Sequence, residues 1–401
     1  MELFQLLNKA LNCIIDTSGR NIEEKQKAWF SPNKILYIPN ERLDEFNSLL
    51  EKIYTFDKFI YNNFTRKFVF KAIEDELIRL KQNNLNFSKE DGEKFLENFK
   101  NIKPFSVNVI APISGIRLDN KDKIVISVFE IGYIRDISIP LAAEDGYYIK
   151  VHVNDIYDRY IAIEKAENAF SDFIKLIVFI SGKNDKRILI KTGLPLYPSI
   201  SHEQMYVETK SYQLLDSSGK FISSDISSEY IEKIPVDNEF FSKNRNFNKL
   251  WEIYKRKYLG QQITDMEARI INASIALGES ALSRNIKNSI IYTSMALEIL
   301  FSFDEGSLFQ KSIGEKLSDM FAFMVGRDKE SRINASKLLK KFYRLRSALV
   351  HGGEASITND YIIINIFLRA VINELLNNKK YIGIRNISQL YNMVKEAQYS
   401  Y

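Results

Sequence analysis

An arginine and a histidine five residues apart close the segment Arg346-Ser347-Ala348-Leu349-Val350-His351-Gly352-Gly353. Together these two residue types can break an RNA phosphodiester. RNA carries its own nucleophile, the 2′-hydroxyl, so a protein need supply only a proton acceptor, a proton donor and positive charge at phosphorus. An imidazole, which ordinarily titrates near pH 6.5, handles the protons. A guanidinium stays charged and grips phosphate oxygens with two N–H groups. Such cleavage needs no metal and leaves a 2′,3′-cyclic phosphate and a 5′-hydroxyl. On a regular helix, residues five apart point about 140° away from each other. The two glycines after His351 permit a left-handed helix stop, so the last turn is expected to open and swing the imidazole toward Arg346, with both side chains exposed. The competing reading is purely structural. A histidine at a helix C-terminus suits the helix dipole, Gly-Gly ends helices, and Arg346 then pairs with an acid on a neighbouring helix.

The helix that would carry this pair is basic. Between Arg327 and Arg346 stand eight Lys and Arg residues against only Asp328 and Glu330. Leu338, Leu339, Phe342, Leu345 and Leu349 form an apolar stripe, so the basic side chains belong on the other side. Lys337, Lys340, Lys341 and Arg344 are the expected phosphate contacts; otherwise they form a plain solvated face. The charge distribution of the whole chain agrees. From residue 241 onward there are 24 Lys and Arg against 15 Asp and Glu, while the preceding part has 32 against 36. That asymmetry points toward a polyanionic partner.

Other chemistries find little material. The single cysteine, Cys13, excludes a disulfide framework and a Cys-rich zinc site. Three histidines leave little material for a His-based metal cluster, and His152 and His202 have no evident partners. In the N-terminal part there is no phosphate loop, metal-ligand spacing or nucleophile elbow, and neither metal nor cofactor is expected. With 45% hydrophobic and 12% aromatic residues, the 401-residue chain has ample core for two to three domains at about 150 residues each. The apolar stretch Phe173 to Ile180, with Lys175 inside it, falls far short of the roughly 20 residues a membrane span needs. The first residues lack a secretory signal. The expectation is a soluble, cytoplasmic protein without membrane association.

The elements that must position the pair follow from periodicity. Residues 1–100 read as helical, with segments at 41–64 and 66–80. Strand-like runs follow at 105–118, 123–135, 147–153, 187–192 and 204–215, interrupted by one helix at about 160–179. Residues 216–248, rich in Ser, Asn and charge, read as a linker or loose crossing. Beyond 247 the pattern is purely helical, with five helices drawn. The first, 264–282, has Thr264 as N-cap and Glu267 completing a capping box. The second, 286–303, turns Ile286, Ile290, Met295, Ile299 and Phe303 to one face. The third, carrying Phe309, Ile313, Leu317, Phe321 and Met324, stops at Gly326. The fourth, the basic one, starts near Asp328. The fifth, 359–376, is apolar nearly all round and is expected to be the most buried. Short connections imply antiparallel packing. The expected fold is an α+β N-terminal region, residues 1–240, followed by an all-α C-terminal bundle, residues 248–401. Glu298, a carboxylate in apolar company on the second helix, either orients Arg346 or His351 or braces the fold. Tyr343, one turn before Arg346, either touches a base, sits at a dimer interface or packs.

Tyr343-x-x-Arg346-Ser347-x-x-Val350-His351-Gly352, preceded two helices earlier by Ala296-Leu297-Glu298-x-Leu300-Phe301, resembles the Apea-like branch of the HEPN superfamily. The resemblance covers roughly residues 248–376, well under half of the chain. It implies a HEPN-like helical bundle and a metal-independent endoribonuclease that cuts RNA with Arg346 and His351. It also implies homodimerisation through the helical domain and a place in bacterial toxin–antitoxin, abortive-infection or other anti-phage systems. The N-terminal region then takes a sensor or regulatory role, answering to an antitoxin or a phage-derived trigger. Ser347 departs from the pattern, since the wider superfamily often has Asn, Asp or His there; it stands with Glu298 and Tyr343 as a supporting position. Dimerisation also follows from chemistry, because cleavage is best served by two proton-transfer groups and the helical region holds one histidine. A two-fold axis near the end of the fourth helix supplies the second. The alternative is a non-catalytic RNA-binding or dimerisation module that keeps the fold and is regulated by a partner protein.

Overall fold

The computed structural model describes the chain apart from residues 18–26, 31–34, 119–122, 138–145, 183–187, 194–204, 216–217, 304–312, 353–358 and 400–401. At 17, 30, 205–212, 215, 225–232, 313 and 398–399 it describes the backbone alone. Two compact units emerge: Met1–Val109 with His152–Glu167, and Ile110–Val151 with Asn168–Tyr401. This division differs from the one expected at 240–248, because the strand-rich segment and the second half of one long helix belong with the C-terminal helices.

The first unit begins with α1 (Leu3–Cys13), β1 (Ile15–Thr17), β2 (Lys27–Phe30) and β3 (Ile35–Ile38). Helices α2 (Asn40–Tyr54), α3 (Lys58–Asn63), α4 (Arg66–Gln82) and α5 (Lys89–Lys100) follow. The three strands form a small antiparallel sheet in the order β1-β3-β2 where helix was expected. The cause lies in Ile35-Leu36-Tyr37-Ile38, too short for a helix between Pro32 and Pro39, with Leu36 and Ile38 turned fully inward. Phe46, Ile73 and Leu77 complete this core. Buried Asp158 accepts hydrogen bonds from the Thr65 amide and hydroxyl and from the Tyr160 amide.

The remaining strands are β4 (Phe105–Ser114), β5 (Ile116–Arg117), β6 (Ile124–Ile126), β7 (Phe129–Tyr133), β8 (Tyr147–Ile156), β9 (Lys191–Thr192), β10 (Met205–Leu215), β11 (Phe221–Glu232) and β12 (Ile234–Pro235). A five-stranded sheet runs β6-β7-β8-β4-β9. The segment read as a linker instead carries two strands and a short helix: β11 pairs antiparallel with β10 from Met205↔Glu232 to Leu215↔Phe221, and β12 pairs parallel with β5. Serines at 223, 224, 227 and 228 mask the strand in composition, and only pairing with β10 reveals it.

After helix α6 (Arg159–Ser181) and the strands come α7 (Asn238–Lys243), α8 (Asn248–Tyr258), α9 (Asp265–Leu282), α10 (Ile286–Phe301), α11 (Ile313–Val325), α12 (Lys329–Val350), α13 (Asp360–Asn377) and α14 (Ile387–Tyr399). Thr264 and Glu267 form the expected capping box on α9. Phe309 lies outside the described residues. In the second unit, Phe173 of α6 packs 4.9 Å from Phe129 of β7, with Trp251 and Tyr254 of α8 completing the aromatic cluster. Helices α6 and α9 cross at backbone distance, since a Cβ on Gly278 would lie 2.0 Å from the Lys175 carbonyl oxygen. Arg369 of α13 donates to the Phe179 and Ile180 carbonyls at 3.0 and 2.6 Å, closing the C-terminal end of α6.

Two helices expose apolar residues that were expected to be buried. On α10, Ser289, Thr293 and Ser294 are buried while Met295 is exposed. On α13, Ile363 and Ile366 face solvent although the helix is apolar nearly all round, and Asn365 is buried. The polar residues explain this. The Asn365 side-chain oxygen accepts from the Thr293 hydroxyl at 2.8 Å, its amide donates to Ser280 Oγ at 3.1 Å, and Ser280 and Thr293 lie 2.9 Å apart. That buried network fixes how α9, α10 and α13 rotate against one another.

Candidate nuclease site on helix α12

Helix α12 starts where its sequence says it should. Asp328 is the N-cap, accepting from the Ser331 amide at 2.8 Å while the Ser331 hydroxyl closes a capping box. Ala335, Leu339, Phe342 and Leu345 recur at three- and four-residue spacing and are buried. The opposite face exposes Lys337, Lys340, Lys341 and Arg344. Lys341 is held at 2.8 Å by Asp360, whereas Lys337, Lys340 and Arg344 have no ion-pair partner among the described residues. Arg332 is drawn elsewhere, donating to the Gly326 carbonyl and lying over the Phe323 ring.

Arg346 sits between these two faces. Its Nη2 lies 3.7 Å from Glu298 Oε1 of α10, with the two side chains about one third exposed, 32% and 35%. The Arg346 Nε is buried without a hydrogen-bond partner among the described residues. The Tyr343 hydroxyl donates to the same Glu298 oxygen at 3.1 Å. Burial, then the Glu298 charge and its hydrogen bond, push the Tyr343 hydroxyl far above its ordinary titration range, with Arg346 opposing. It is therefore a fixed donor. Glu298, Tyr343 and Arg346 thus form one cluster, so Tyr343 is engaged with Glu298 rather than free to meet a base. Arg346, expected to be exposed, is half-buried.

His351 is the C-cap of α12, with φ −96° and ψ 13°, and is exposed. The last turn does not open as expected: the His351 amide still donates to the Ser347 carbonyl at 3.1 Å. Ser347 is exposed. The left-handed residue is Gly352, at φ +75° with open space around its α-carbon, while Gly353 lies outside the described residues. With the helix regular through Val350, the five-residue spacing keeps its separation of about 140°. Arg346 turns toward α10 and His351 toward solvent.

Of the other histidines, His152 Nδ1 lies 2.9 Å from Asn108 Oδ1, and His202 falls outside the described residues. Among the described residues no group of three or more His, Cys, Asp and Glu could hold a metal ion, and no helix is long and apolar enough to cross a membrane. The buried Ser280–Thr293–Asn365 network behind the site was not foreseen, although an asparagine within Ile362-Ile363-Ile364-Asn365-Ile366-Phe367 is its visible trace. The chain matches no protein-family model, no curated protein and no solved structure.

Proposed function

We propose that the helical part of the second unit is a HEPN-like endoribonuclease that acts as a homodimer. The observation that carries this reading is Arg346: a guanidinium beside Glu298, its Nε without a hydrogen-bond partner among the described residues, on a helix whose outer face exposes Lys337, Lys340 and Arg344 with no ion-pair partner among those residues. In the proposed reaction the 2′-hydroxyl oxygen attacks phosphorus as its proton leaves to one imidazole, and the bond to the 5′-oxygen breaks as that oxygen takes a proton from a second. Arg346 neutralises the charge that builds on the phosphate oxygens. The substrate brings the nucleophile, so the step calls for no metal.

The 140° between Arg346 and His351 on one helix favours a shared site. An isologous interface at the end of α12 can set one protomer's His351 beside the other's Arg346. The first unit then takes the regulatory role, answering a partner protein or a phage-derived trigger. The Glu298–Arg346 pair also favours a second reading, in which Arg346 only braces α12 against α10 and the fold is a non-catalytic RNA-binding or dimerisation module.

One experiment separates them: cleavage of end-labelled RNA with and without a chelator, by wild type, His351→Ala and mixed dimers. The proposal expects chelator-resistant cleavage giving cyclic phosphate ends. It expects His351→Ala to be down at least about 100-fold, and mixed dimers to retain well under half of the activity. Mixed dimers at half activity would overturn the shared site, and full cleavage by His351→Ala would overturn the nuclease assignment.

A further inference from the structure

A groove of about 480 Å³ in the second unit lies away from the α12 residues and has its own chemistry. Its walls are the β6–β7 turn, α7 and the start of α8. Phe241 is half-buried, its ring 6.3 Å from the Trp251 ring at an interplanar angle of 74°. Arg245 and Lys255 are exposed at the rim, and neither has an ion-pair partner among the described residues. Ser242 and Asn248 add neutral hydrogen-bonding groups, and Glu252 is the one carboxylate among the described lining residues. The turn is held in an uncommon shape: Ser127 is a non-glycine residue at φ +57°, and its hydroxyl donates to the Trp251 carbonyl at 2.9 Å. Strained backbone of this kind persists where surroundings fix it, and it clusters at binding sites. Here the Ser127 bond ties the turn to α8, so the groove is preformed.

We propose that this groove binds a ribonucleoside 5′-monophosphate. The size falls within the range of small-molecule sites, about 300–1,000 Å³. Each part of the ligand has a matching group. Phe241 offers a stacking face for a flat base. Arg245 and Lys255 supply charge-assisted donors to a phosphate. Glu252 accepts from ribose hydroxyls, the role carboxylates take against a ribose in dinucleotide sites. A bare anion would leave the aromatic wall and the carboxylate unused. A purely apolar ligand would leave two cations unpaired. A nucleotide uses all three features. None of these residues belongs to the Glu298–Tyr343–Arg346 cluster, so the inference stands apart from the nuclease reading.

The test is calorimetric titration of the full chain with AMP, adenosine, inorganic phosphate and dAMP. AMP is expected to bind more tightly than adenosine or phosphate, by about tenfold or more in each case. Arg245→Ala with Lys255→Ala should weaken AMP by at least about tenfold while leaving adenosine unchanged. Phe241→Leu, which keeps an apolar side chain against Trp251, should weaken AMP and adenosine together. Glu252→Gln should bring the AMP to dAMP ratio toward one. His351→Ala should change nothing. The proposal is overturned if AMP gives no saturable heat up to about 1 mM, or if phosphate alone binds as well as AMP. It is also overturned if the double variant binds AMP normally, or if His351→Ala abolishes binding and so places AMP at α12.

Discussion

The Tyr343 hydroxyl and Glu298 Oε1 are joined by a 3.1 Å hydrogen bond, and the oxygen that receives it is the one facing Arg346. A tyrosine thus sets where the carboxylate sits, and the carboxylate sets where the guanidinium sits. The three residues share one oxygen, so a change at any of them is transmitted to the other two.

Tyr343→Phe removes the hydroxyl while keeping the ring against Phe342. It should cost about 1 kcal/mol in denaturant unfolding. If Arg346 works on phosphate, kcat should also fall several-fold with KM little changed. The alkaline limb supplies a second check. The folded hydroxyl titrates above its ordinary value, so its contribution is complete below about pH 10 and lost as pH rises past that point. Wild type should therefore lose stability above pH 10 more steeply than Tyr343→Phe. Equal slopes would detach Tyr343 from Glu298.

Salt dependence probes the outer face of α12. Each phosphate contact to single-stranded RNA should contribute about 0.7 to the slope of log affinity against log salt. Lys337→Glu with Lys340→Glu should flatten the slope by more than one. Lys341→Glu should change it less, since Asp360 already holds that ammonium. An unaltered slope in the double variant would leave these lysines as a solvated face.

The buried network predicts its own pattern. Asn365→Ala takes one hydrogen-bond partner each from Ser280 and Thr293 and leaves a void, and should cost about 2–4 kcal/mol. Ile366→Ala, one residue on but exposed, should stay within about 0.5 kcal/mol. Chemical denaturation of the two variants tests the contrast. Similar losses would contradict the rotation of α13 described above.

Much of this was legible in the sequence, for a reason visible at Thr264 and Asp328. Caps and apolar spacing are local, so α9 and α12 start where side-chain hydrogen bonds can close them. The Arg346–Glu298 proximity was legible in part, as one of two roles for a carboxylate among apolar residues. What escaped were non-local decisions. Strand β11 is specified by its partner β10 rather than by its serines. Asn365 outweighs the isoleucines beside it because one unpaired amide costs more than one exposed side chain. The convergence of His351 on Arg346 depended on whether the last turn of α12 opened, and the Ser347 carbonyl keeps it closed.

On β7, acid should expose a different dependence. Burial pushes the Glu130 carboxyl up, but hydrogen bonds from Lys150 and Tyr148 more than offset this and hold it below the ordinary range. Tyr148 itself is pushed up to about 12 by burial and by Glu130. A depressed carboxyl stabilises fully above its unfolded value and stops doing so as pH falls through the folded one. Glu130→Gln should therefore be less stable than wild type at pH 7, with the gap closing below about pH 4. A gap that stays constant with pH would assign the loss to packing alone.

Arg369 carries a consequence of another kind. Its guanidinium is half-desolvated, which lowers its affinity for a proton, and what it meets are the two closing carbonyls of α6 and the face of the Phe247 ring, 4.8 Å away. Both are permanent dipoles or quadrupoles, with no proton to gain. Acid that dissolves the ion pairs elsewhere finds nothing to titrate at this joint, since the arginine stays charged in the folded and the unfolded chain alike. As carboxylates are neutralised one after another, the seam between α6 and α13 should be among the last to part.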